Sequence, residues 1–241
     1  MKTLNGIILF SLLSSACTKE KPMPIAEPAA NVFVTTNTTG SFTYLALGDS
    51  YTIGESVKQS ESFPYQLKDV LKTEGLTIEI PKIIAVTGWT TDELQGAIKQ
   101  AKITQKYDIV TLLIGVNNQY RGYAIETYKK EFSELLQTAI DFSGGRKTRV
   151  FVISIPDWGV TPFAKNGPKS AQTIATEIDA FNTAAEKITS DAGVSFTNIT
   201  TDSRMAANDT SLIAEDGLHP SGKMYRNWVN ALTPKISAAL K

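Results

Sequence analysis

From about residue 42 onward the chain repeats one pattern, a short apolar run followed by a longer segment with apolar positions at helical spacing. Tyr44-Leu45-Ala46-Leu47 leads into a helix-like stretch from Pro64 to Glu74, and the alternation then recurs four times. The strand candidates are Ile78 to Val86, Ile109 to Ile114, Val150 to Ile155 and Val194 to Ile199. The helix candidates are Thr91 to Ala101, Ile125 to Phe142, Ala171 to Ser190 and Ser221 to Leu240. Each strand run is apolar enough for cover on both faces, which marks strands of a parallel sheet rather than one-sided antiparallel ones. Such alternation predicts an α/β fold, a three-layer α/β/α sandwich around a five-stranded parallel sheet. No internal repeat is visible.

Composition agrees with one globular domain. At 241 residues, 42% of them hydrophobic and 20% charged, the chain can bury its own core without staples. Lys+Arg and Asp+Glu both number 24, so no net field holds a nucleic-acid backbone, and nucleic acid is excluded as a partner. One cysteine makes no internal disulfide, and one histidine with one cysteine makes no zinc cluster. No structural metal is expected.

The N-terminus points to export. Met1-Lys2 precedes the apolar run Gly6 to Leu13, then Ser14-Ser15-Ala16 and Cys17, a signal segment too short to span a bilayer. Leu13-Ser14-Ser15-Ala16-Cys17 resembles a bacterial lipoprotein signal, in which the cysteine becomes the lipidated first residue. The alternative is a plain signal peptide with an incidental cysteine. Pro22, Pro24, Pro28 and a Thr/Asn stretch read as a tether. The expected organisation is a signal over 1–16, a lipidated Cys17 and tether over 17–41, and one domain over 42–241, carried on the cell envelope through the lipid on Cys17. Asn37, Asn198 and Asn208 match the N-x-S/T acceptor pattern, by chance in an exported bacterial chain.

Open parallel sheets bind ligands beyond the carboxyl ends of their strands, where the strand order reverses. The segments there are Gly48-Asp49-Ser50-Tyr51-Thr52-Ile53-Gly54, then Thr87-Gly88-Trp89, then Gly115-Val116-Asn117-Asn118. In the order 2-1-3-4-5, Gly88 and Asn117 flank Ser50. A serine attacking an ester creates an oxyanion, and a glycine N–H and an asparagine amide are suitable donors to it. The serine needs a base, and only His219 is an imidazole. It lies in Asp216-Gly217-Leu218-His219-Pro220, where Asp216 can fold back to orient it. Ser154 is the rival nucleophile, without flanking glycines.

These segments resemble the blocks of the GDSL family of SGNH hydrolases. Gly48-Asp49-Ser50 with Gly54, then Gly88, then Gly115-Val116-Asn117, then Asp216-Gly217-Leu218-His219 follow in the family's order across residues 44 to 240. The resemblance implies a flavodoxin-like fold, Ser-His-Asp hydrolysis of carboxylic esters by Ser50, His219 and Asp216, oxyanion donation by Ser50 N–H, Gly88 N–H and the Asn117 side chain, and no cofactor. Asn118 departs from the family, where many members carry aspartate. The Gly-x-Ser-x-Gly elbow of the separate α/β hydrolases is absent.

Trp89, Tyr120, Tyr123, Trp158 and Phe163 are candidate walls of a substrate cleft. Acetylated carbohydrates, lysophospholipids and small esters all fit, as does transfer to an alcohol. A surface-anchored carbohydrate- or acyl-binding lipoprotein on the same fold, and a tethered scaffold, are the readings from other classes. An activated serine distinguishes the enzyme from both.

Overall fold

The computed structural model describes residues 40–241. The expected signal, Cys17, Asn37 and nearly all of the tether lie outside them. Five strands form one sheet, β1 (Tyr44–Gly48), β2 (Lys82–Ala85), β3 (Ile109–Leu113), β4 (Val150–Ile153) and β5 (Ser195–Thr197). Their order is β2-β1-β3-β4-β5, and every neighbouring pair is parallel. The helices are α1 (Ser50–Ile53), α2 (Phe63–Thr73), α3 (Thr91–Ala101), α4 (Val116–Tyr120), α5 (Ile125–Phe142), α6 (Ala171–Asp191), α7 (Thr200–Arg204) and α8 (Gly222–Leu240).

Topology follows from handedness. The step from β1 to β2 runs one way along the sheet and every later step runs the other, so right-handed crossovers put the connecting helices on opposite faces. Accordingly α2 packs against α8, while α3, α5 and α6 pack side by side. The result is the predicted three-layer sandwich. Its central strands β1, β3 and β4 are wholly buried.

The outer strands are shorter than the apolar runs that announced them. Ile78 makes only an isolated parallel bridge to Phe42, and the β2 ladder starts after Pro81, which has no N–H to give. Ile80 is 75% exposed and Val86 47%, so this run is a sheet edge and not a strand covered on both faces. At the other edge β5 keeps three residues, and Lys235 Nζ covers it by donating to the Phe196 carbonyl at 2.7 Å. The five long helices begin and end within a residue of their expected bounds, and α3 and α5 match outright. Ser170 and Ser221 cap α6 and α8 with their side chains, the start signal that such serines provide.

Register sets the site. Gly48 stands opposite Ala85 on one side and Leu113 on the other, so the segments leaving β1, β2 and β3 emerge level with one another. That is the topological switch point.

Candidate active site

The chain turns sharply at Gly48. A Cβ there would lie 2.1 Å from Thr52 Oγ1 and 2.4 Å from the Leu113 carbonyl, so only glycine lets strand and helix meet this closely. Asp49 caps the next turn, its Oδ1 accepting from Tyr51 N–H at 3.0 Å, and Gly54 ends that turn at φ 78°. Ser50 thus opens a one-turn helix and is nearly buried. The sequence reading took this segment, and the one holding Asn117, as loops. Four or five residues are too few to show helical periodicity.

Asp49 is fully buried. Burial pushes its carboxyl up to about 7, against the pull of the Tyr51 N–H. Its Oδ2 and the neighbouring Thr52 Oγ1 have no partner.

His219 is held from the C-terminal side of the chain. Asp216 Oδ1 accepts from the backbone N–H groups of Leu218 and His219, each at 2.9 Å, which wraps the turn around the carboxylate. Its Oδ2 lies 2.5 Å from His219 Nδ1 and accepts from Ser56 Oγ at 2.7 Å. Burial raises the Asp216 carboxyl, but these four hydrogen bonds outweigh it and hold the group down at about 2. The imidazole packs on the Tyr51 ring, with centroids 5.5 Å apart. Ser50, Tyr51, Asn117, Leu218 and His219 line one cavity of about 140 Å³, together with Val116 and the rings of Tyr120, Trp158 and Phe163.

Asn117 sits in α4, which follows Gly115 at φ 129°, where a Cβ would strike the Tyr128 ring. Its Nδ2 donates to the Trp89 carbonyl at 3.0 Å. Asn118, fully buried, accepts from Thr91 N–H at 3.1 Å and donates to Thr91 Oγ1 at 2.6 Å, and that hydroxyl donates onward to Glu131. Arg121 donates to the Gly88 carbonyl at 2.6 Å. Side chains in and just after one short helix therefore fix residues 88–91. Gly88, at φ 88°, is not among the residues that line the cavity.

A family model for GDSL-like lipases and acylhydrolases matches residues 46–226, most of the chain. The chain belongs to that family. It is accordingly a carboxylic ester hydrolase of the GDSL/SGNH type. Solved structures with the same fold include TesA (18% identity, 82% of this chain and 99% of that one, TM-score 0.63). A lipase/acylhydrolase from Enterococcus faecalis has 20% identity over 82% and 96% of the two chains, with a TM-score of 0.62. The acetylxylan esterase Axe2 from Geobacillus stearothermophilus has 17% identity over 82% and 95%, with a TM-score of 0.61. No curated protein matches.

In this GDSL-family chain, Ser50, Asn117 and His219 meet at the cavity, and Asp216 stands behind the imidazole. Of the candidate wall residues, Tyr120, Trp158 and Phe163 reach the cavity; Trp89 and Tyr123 do not line it. Ser154, the rival nucleophile, is buried between the Thr200 hydroxyl at 2.8 Å and the Ile199 N–H at 2.8 Å, tying β4 to the segment after β5. Three residues escaped the sequence reading. Ser56 grips Asp216 from 160 positions away, Arg121 holds Gly88, and Gln119 accepts from Trp158 Nε1 at 2.8 Å. None has a local signal, because each partner is distant in sequence.

Proposed function

We propose that this esterase acts through Ser50 as nucleophile, His219 as general base and acid, and Asp216 as the group that orients the imidazole. The observation that carries the reading is Asp216 bound to His219 Nδ1 at the wall of the cavity that also contains Ser50. With Nδ1 donating to Asp216, Nε2 is free to take a proton from Ser50 Oγ. Ser50 Oγ then bonds to the ester carbonyl carbon, the alcohol departs with the proton from His219, and a water deprotonated by His219 attacks the acyl-serine to release the acid as His219 returns the proton to Ser50 Oγ. Asp216 stays ionised throughout, in keeping with a carboxyl held at about 2.

The oxyanion is received by Ser50 N–H and the Asn117 amide, and the family resemblance adds Gly88 N–H, from a residue just outside the cavity lining. An amide has two N–H bonds. Asn117 places one on the Trp89 carbonyl, which fixes its orientation and leaves the other for substrate. The substrates are carboxylic esters. Export and anchoring through a lipid on Cys17 complete the proposal; a Cys17→Ala chain that still partitions with membranes would refute the anchor.

The test is to incubate the purified protein with a fluorophosphonate, digest it and locate the adduct by mass spectrometry, beside a folded His219→Ala control. Adduct on Ser50 that vanishes in the control is the expected result. A folded wild type without adduct, or adduct on Ser154, overturns the assignment.

A further inference from the structure

The cavity at Ser50 has a larger neighbour. A trough of about 570 Å³ is lined by Pro162, Gly167, Pro168, Asp216 and Gly217 and by the same three rings, Tyr120, Trp158 and Phe163. The rings therefore stand between the two spaces, with centroids 5.4 Å apart for Tyr120 and Trp158, 6.1 Å for Trp158 and Phe163 and 6.4 Å for Tyr120 and Phe163. Trp158 is buried and locked by its hydrogen bond to Gln119. Tyr120 and Phe163 are 53% and 42% exposed, and they come from different segments, α4 and the turn whose Phe163 N–H donates to the Gly217 carbonyl at 3.0 Å.

We infer that Tyr120 and Phe163 form a wall that limits acyl-chain length, closing the Ser50 cavity to all but short acyl groups and separating it from a trough that fits a longer hydrocarbon chain. The inference rests on Ser50 being the nucleophile. A void of ~150 Å³ holds one benzene-sized guest, so a cavity of about 140 Å³ suits an acyl group of a few carbons. The trough falls within the size range of ligand pockets. Its one carboxylate is Asp216, whose two oxygens are already engaged by His219, Leu218 and Ser56, so the trough presents rings and prolines and no cation to hold a phosphate.

The experiment compares kcat/KM for p-nitrophenyl acetate, butyrate and octanoate in wild type, Tyr120→Ala, Phe163→Ala, the double variant and Tyr120→Phe, with fluorophosphonate labelling of Ser50 in each. Both rings are partly exposed, so truncation leaves the fold intact. Wild type and Tyr120→Phe are expected to prefer acetate and butyrate. In the double variant kcat/KM for octanoate relative to that for acetate should rise roughly fourfold for each methylene newly buried. Wild type that takes octanoate as readily as butyrate, or a double variant with an unchanged profile or an equal loss on all three esters, overturns the wall. A folded wild type with neither turnover nor Ser50 adduct instead overturns the nucleophile assignment on which the wall depends.

Discussion

Ser56 sits at φ 65°, a left-handed conformation that costs a non-glycine residue about 1–2 kcal/mol, and its hydroxyl binds Asp216. The strain is explained by what the hydroxyl does at that place. Ser56→Gly should therefore leave stability within about 1 kcal/mol of wild type, since relief at φ offsets the lost hydrogen bond and the added chain entropy, while kcat falls as Asp216 loosens. Thermal melts and steady-state kinetics separate the two. Asp216→Asn should lower kcat by about 10⁴, because an amide favours the wrong imidazole tautomer, and Asn117→Ala by about 10²–10³. Asp49 gives the opposite pH behaviour to Asp216. With its folded value near 7 against an ordinary 3.8, the native state keeps a proton that the unfolded chain releases, so Asp49 makes the protein less stable as pH rises between those values. The depressed Asp216 contributes stability above about pH 4 that is lost as pH falls toward 2. Around Asp49, burial keeps the phenols of Tyr51, Tyr128 and Tyr225 neutral, so they do not titrate in this window. Denaturant melts should show Asp49→Asn gaining on wild type from pH 4 to pH 7, and a pH-independent difference would contradict the buried carboxyl.

At the scale of elements, the short helix α4 shows why an amide suits position 118. Its amide accepts from Thr91 N–H and donates to Thr91 Oγ1, leaving that hydroxyl's proton for Glu131. A carboxylate at 118 would have no proton to give, and two carboxylates would compete for one hydroxyl. Asn118→Asp should cost about 1–3 kcal/mol in denaturant melts, and adding Glu131→Gln should recover part of it, because the new amide donates where Asn118 did. Gly48→Ala should cost more than about 3 kcal/mol or prevent folding, since the colliding Leu113 carbonyl is backbone in a central strand. The long helices and central strands were legible because ten or more residues of periodicity, or four to five mostly apolar ones, leave little ambiguity. The edges were not. Apolar residues at Ile80 and Val86 look like a buried strand until Pro81 and the sheet border decide otherwise.

For the whole molecule, the sheet order was legible, and it places Ser50 and Asn117 at one cavity that Gly88 does not line; His219 reaches the same cavity from just before the last helix, with Asp216 on its Nδ1 as their spacing suggested. Ser56, Gln119 and Arg121 were illegible because their roles exist only once distant segments meet. The two ends of the domain are joined through α2 and α8, where Gln66 Nε2 donates to the Gly222 carbonyl at 2.8 Å and Phe63 packs on Tyr225. A chain cut to residues 40–241 should fold cooperatively with wild-type esterase activity, since these contacts lie inside it; a broad melt would refute this. The 160-residue gap across the Ser56–Asp216 contact also has a temporal meaning. At a ribosomal rate of ~5–20 residues per second, the serine turn is made roughly 8–30 s before His219. On the proposed mechanism the unfinished polypeptide therefore lacks its base for acyl transfer, and the enzyme is silent during its own synthesis.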